Sequence, residues 1–254
     1  MALPLVLYLA FVGATMGSFV DALVWRLPTG RPLTWQRSEC ESCQRTLGVV
    51  DLVPVVSWLA LRGRCRHCGM RISVLTPLAE ASLAGLFVVS ALAWPLGFGR
   101  PATVASFVLW LIYLVVLAAL AVYDARWKRL PDAALLVLGA LALVDAGLRV
   151  SLHGPLTLGG YAGHALLGAA VLGGAYAVPH LLSRGRWVGA GDVKLAAFVG
   201  IVLGWEQGLL AAALANVLAA AVALAGLVTG RLVRGDRLAY GPFLIAGFVM
   251  TGLI

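Results

Sequence analysis

The sequence predicts an all-α protein that crosses a membrane several times, and three observations predict it. Of the 254 residues, 61% are hydrophobic and only 12% charged, with a mean hydropathy of +0.96, so polar side chains are too few to cover a soluble globule. The apolar residues gather into runs of the length that spans hydrocarbon, about 20 residues each. There are about eight such runs, near 4–25, 77–97, 103–123, 131–149, 161–182, 191–204, 207–229 and 239–254. The third observation is charge: all Lys and Arg but Arg100 and Arg149 fall in four segments, 26–76, 124–130, 183–194 and 230–238. By the positive-inside rule this alternation puts the four basic segments in the cytoplasm and both termini outside. The net charge of +8 is then an orientation signal. Nucleic acid is not an expected partner, because the basic residues form no single face with aromatic stacking positions.

The first helix, 1–25, has no basic n-region and no small-residue cleavage site, and reads as a retained membrane helix. It ends in Gly17-Ser18-Phe19-Val20-Asp21 and Trp25-Arg26-Leu27-Pro28. Asp21 lies inside the apolar run and is expected to pair with an arginine such as Arg26, and Pro28 is expected to stop the helix.

Residues 26–76 are the only sizeable aqueous segment, too small to build a core that holds by itself. All four cysteines lie here, as Cys40-x-x-Cys43 and Cys65-x-x-Cys68, with 21 residues between the pairs. That spacing is close to the zinc-ribbon type, in which two knuckles present four thiolates to one tetrahedral ion. A reducing cytoplasm disfavours disulfides, and free or redox thiols are the alternative. His67, between two cysteines, is read as a bystander that can substitute for a ligand.

The remaining helices, 77–254, form the membrane core. Glu80 follows Thr76-Pro77 at an expected helix start, where an acid suits the helix dipole. Asp132, beside Pro131, reads as a helix-start residue. Asp145 and His164 are lone ionisable groups without an evident partner, and His180 is of the same kind. The boundary between the sixth and seventh helices rests on Gly204-Trp205-Glu206-Gln207-Gly208, and Tyr240-Gly241-Pro242-Phe243 opens the last.

Two carboxylates stand apart. Asp124 closes the third helix, where the dipole disfavours an anion. Asp192 follows Gly189-Ala190-Gly191 at the entrance to the sixth helix, where the glycines let the backbone bend and approach a neighbour. The topology puts both acids at one membrane face although 68 positions separate them. A close pair of this kind suits peptide hydrolysis: an ionised partner takes a proton from water while a protonated one polarises the scissile carbonyl. The bland alternative has Asp192 capping its helix and Asp124 paired with an arginine.

The ordered combination of these motifs resembles the type IV prepilin leader peptidases, GxGD-class intramembrane aspartyl proteases. It comprises Gly189-Ala190-Gly191-Asp192 running into Val193-Lys194-Leu195, the Asp124-x6-Pro131 spacing, and Gly17-Ser18-Phe19 with Arg26-Leu27-Pro28. To these it adds the two C-x-x-C pairs flanking Asp51-Leu52-Val53-Pro54 and, at the far end, Gly241-Pro242-Phe243. The resemblance implies Asp124 and Asp192 as the catalytic pair, supported by Gly189 and Gly191, in a multi-pass protein of the bacterial inner membrane. The implied substrate is a prepilin or pseudopilin, cut after its short basic leader at the cytoplasmic face of the lipid bilayer. It also implies N-methylation of the new N-terminus with S-adenosylmethionine, associated with the cysteine-bearing segment, with Glu80 a candidate for that reaction; Cys40, Cys43, Cys65 and Cys68 are the zinc ligands that the spacing itself offers. The chain departs from the family pattern at Asp21, where Asn is common, and at Val74-Leu75-Thr76-Pro77. Two readings of other classes compete: a transporter with Asp124, Asp192 and Lys194 as an ion relay, disfavoured by acids gathered at one face, and a noncatalytic assembly scaffold.

Overall fold

The computed structural model of the chain describes residues 3–29, 38–153, 160–233, 236 and 238–253. Arg31, Arg37, Arg234 and Arg237, four of the charges used for orientation, and Ile254 of the last expected helix lie outside them. The described residues are helical: α1 (Leu3–Thr29), α2 (Val56–Ala60), α3 (Leu75–Leu92), α4 (Pro101–Trp127), α5 (Asp132–His153), α6 (Tyr161–Leu182), α7 (Ala190–Val228) and α8 (Gly241–Gly252), with one 3-10 turn at Val49–Leu52. Among them are two isolated β-bridges and no strand.

Each expected helix has a counterpart, and five of these helices are long and apolar enough to cross a membrane: α1, α3, α4, α6 and α7. The chain is an all-α polytopic membrane protein. α7 has 39 residues. Unbroken, such a helix would rise roughly 58 Å, about twice the hydrocarbon thickness. It breaks at Gly204, whose φ of 79° and ψ of 178° are non-helical and open to glycine alone, and the boundary falls where the sequence places it. Two expected ends shift. α1 runs through Pro28 to Thr29, because a proline so near the end of a helix removes only one hydrogen bond. α3 stops at Leu92, three residues before Pro95 and short of the expected 97.

Residues 1–93 and 94–254 are separate compact units. In the first, α1 packs on α3 through Gly13 and Gly17, where an added Cβ would overlap the Leu83 carbonyl and the Glu80 backbone respectively. In the second, α7 packs on α6 and α8, and α4 on α5 and α8. Its centre is aromatic: Trp110 stacks on Phe248 at 5.2 Å, and Tyr113 meets Phe198 edge-on at 5.3 Å. Pairs of this kind add about 0.5–1.5 kcal/mol each beyond area burial. From this cluster α4 runs forward to Asp124, whereas α7 and α8 run back to Asp192 and Gly241, so one C-terminus and two N-termini converge.

Candidate active site

Asp124, in the last turn of α4, is 5% exposed, and its Oδ2 accepts the Gly241 N–H at 3.0 Å. Asp192 stands in the first turn of α7, and its Oδ2 accepts the Gly189 N–H at 3.2 Å. Each carboxylate is thus held by one main-chain donor through one oxygen. Among the described residues neither has a basic partner, so the alternative that pairs Asp124 with an arginine is not met, whereas Asp192 does cap its helix. The two acids lie within electrostatic reach of each other. Leu130 sits between their supports. A Cβ on Gly191 would come within 2.8 Å of Leu130 Cβ, and one on Gly241 within 2.9 Å of Asp124 Oδ2 and 3.4 Å of Leu130 Cδ2. The glycines are therefore what brings α7 and α8 close to Leu130 and Asp124. Beside this group Lys194 binds Asp132, the first residue of α5, at 2.6 Å, and His180 Nδ1 meets the Val188 carbonyl at 2.8 Å, fixing the turn before Gly189.

The first unit holds a second group of acids. Glu80 is 4% exposed and lies in the second turn of α3, not the first, so the helix-dipole explanation does not apply. Its Oε2 accepts the Val55 N–H at 2.6 Å, and the Ser18 hydroxyl bonds it from α1. Val55 holds a φ of 60°, a strained conformation for a β-branched residue. That strain is what aims its N–H at Glu80. Asp21 accepts the Thr76 hydroxyl at 2.7 Å. Asp21, Glu80, Trp25 and Trp58 line one cavity of about 200 Å³.

The four cysteines are gathered so that all their Sγ atoms lie within 4.8 Å of one another, with Cys40 and Cys68 at 3.8 Å. Tetrahedral Zn–S bonds of about 2.3 Å separate sulfurs by about 3.8 Å, so the set fits one such ion. Each C-x-x-C forms the same turn: the N–H groups of Gln44 and Gly69 return to the Cys40 and Cys65 carbonyls, and the Cys40 and Cys65 N–H groups bond the Arg45 and Met70 carbonyls. Main-chain N–H groups of Cys68 and His67 pull the Cys65 thiol down to about 7, while burial pushes Cys40 up to about 11. Asp51 joins the linker to the second turn through Arg66 at 2.8 Å, and that guanidinium holds its carboxyl below the usual range.

Some features were not apparent in the sequence. Asp145 is not solitary: it pairs with Arg149 one turn on at 3.0 Å, a partner the i,i+4 spacing offers. Tyr176, Asn216 and Tyr240 join near Asp192, and no motif marks the first two.

Known proteins bear on both units. A model of the bacterial peptidase A24 N-terminal domain matches residues 11–94, and one of the type IV leader peptidase family matches residues 111–224. A prepilin leader peptidase/N-methyltransferase of Burkholderia pseudomallei (strain K96243) is 35% identical over 98% of this chain and 86% of its own. Proteins of the same name from Bacillus subtilis (strain 168) and Pectobacterium carotovorum subsp. carotovorum are 34% and 32% identical. The first of these covers 95% of this chain and 91% of its own, the second 96% and 92%. No solved structure matches.

Proposed function

The chain belongs to the type IV leader peptidase family, and from that premise we propose a membrane-embedded aspartyl endopeptidase that removes the basic leader of type IV prepilins or pseudopilins and N-methylates the new N-terminus. The observation that carries the peptidase reading is the convergence of Asp124 and Asp192, each tied by one N–H through Oδ2 and, among the described residues, without a basic partner. In this reading the free carboxylate oxygens face the scissile bond, one deprotonating water and the other protonating the departing amine. Gly189 and Gly191 hold the approach to Asp192. The helical core 77–254 carries this chemistry, with 1–25 as the first membrane helix and 26–76 as the aqueous four-cysteine segment.

The methyl transfer is assigned to the cavity at Glu80. Asp21 and Glu80, set with the indole rings of Trp25 and Trp58 in its lining, suit cationic groups, the sulfonium of S-adenosylmethionine and the ammonium of a new N-terminus. S-adenosylmethionine supplies the methyl group when bound. Glu80 holds the amine and takes its proton. Zinc at Cys40, Cys43, Cys65 and Cys68 pins the segment that roofs this cavity, since Cys40 and Cys65 line it too. In this reading the protein lies in the inner membrane with its termini outside and its dyad at the cytoplasmic face, an orientation that the basic segments support.

One experiment tests both reactions. The protein is reconstituted with a prepilin, and the substrate's new N-terminus is read by mass spectrometry. Asp124→Asn and Asp192→Asn each abolish cleavage while the protein stays in the membrane, and Glu80→Gln leaves cleavage but yields an unmethylated product. Substantial processing by either aspartate variant removes that residue from the mechanism.

A further inference from the structure

Asn216 is the only polar side chain between Gln207 and Thr229, in the second limb of α7, and it is exposed. A lone amide in so apolar a run is costly unless it meets a partner. Its Oδ1 accepts the Tyr240 hydroxyl at 3.1 Å, and the Tyr240 oxygen lies 2.6 Å from the Tyr176 hydroxyl, with the rings 5.8 Å apart. Because the Tyr240 proton points to Asn216, the Tyr176 proton points to Tyr240, and the chain of donors has one direction. It leaves the two Asn216 amide protons without a partner among the described residues. Both phenols are within electrostatic reach of Asp192, and the residue after Tyr240 is Gly241, whose N–H holds Asp124.

A peptide must be extended to be cut, and an extended segment in apolar surroundings exposes carbonyls that a helix would have satisfied. Donors are what such a site lacks. We propose that Asn216, oriented by Tyr240 and Tyr176, donates its amide protons to a main-chain carbonyl of the extended substrate and sets its register beside Asp192. Tyr240 and Tyr176 are positioning residues acting through Asn216. The proposal rests on the reading of Asp124 and Asp192 as the catalytic pair.

The test uses the full-length protein in proteoliposomes with a leader-bearing prepilin. Asn216→Asp keeps the acceptor for Tyr240 but removes both donors, and Tyr240→Phe removes the anchor. Each raises KM by roughly three- to tenfold with kcat nearly constant, the loss of one hydrogen bond used in binding. Labelled prepilin binds an Asp192→Asn background more weakly by the same factor when either change is added, and Asn216→Gln recovers part of the affinity. Unchanged KM and affinity overturn the proposal, as does a fall in kcat at constant KM. If Asn216→Asp does not fold, Tyr240→Phe, which alters one oxygen, decides. Cleavage by Asp192→Asn alone would instead sink the dyad, so the two failures are distinguishable.

Discussion

The cysteine cluster and the carboxylate pair are built at different ranges. In the cluster each half is made by six consecutive residues closing on themselves, Cys40 to Arg45 and Cys65 to Met70, and the halves repeat each other bond for bond. In the carboxylate site nothing is local except the Gly189–Asp192 bond. Asp124 is held from 117 positions away, and Leu130 touches two helix starts that depend on it for their spacing. A site of the first kind tolerates change elsewhere in the chain, whereas one of the second kind fails when any of three helix ends moves.

The largest separation of the two is expected from Gly241→Val. Its Cβ would press within 2.9 Å of Asp124 Oδ2, and a misplacement of about 1 Å at a catalytic group costs roughly 100-fold in rate. Cleavage assays should show that loss while the metal content of the purified protein stays at about one per chain. The opposite change, Cys65→Ser with Cys68→Ser, should remove the metal by elemental analysis and methyl transfer with it, yet lower cleavage less than roughly tenfold, since metal binding holds its own segment together. Equal loss of both reactions would erase the contrast. The smallest effect sharpens the repeat itself. Gln44 and Gly69 occupy the same place in the two turns, at φ 56° and 69°. Gln44→Gly should therefore raise the stability of the segment by about 1 kcal/mol or less, visible as a higher chelator midpoint, because glycine takes this conformation without steric cost.

Legibility followed the same division. The cysteine cluster and the helices could be read from composition, spacing and charge, since each signal is carried by residue type at a fixed offset, whereas position alone leaves Asp124 and Asp192 open between catalysis and a structural role and only the family resemblance singles them out. The break in α7 was marked by Gly204 and the polar residues after it. Asp145 could have been paired with Arg149 from their spacing alone. Leu130 could not be found, because a leucine in a loop says nothing about which glycines will close on it. Tyr176 and Asn216 gain their meaning only from helices that bring them, from 64 and 24 positions away respectively, to Tyr240. Glu80 is marked by its charge but lies one turn beyond the helix start, and of its ties only that to Ser18 accompanies α1 packing at Gly17, whereas Val55 reaches it from the aqueous segment.

The break at Gly204 has a consequence for the lipid. The limb that begins at Asp192's turn, residues 190–203, rises roughly 21 Å, well short of the roughly 30 Å of hydrocarbon around it. Acyl chains meeting so short a wall must shorten with it or leave its ends wet. On the proposed reading of Asp192, a water boundary drawn inward on that side would let a peptide bond reach hydrolytic depth without a full-length helix being pulled out of the bilayer.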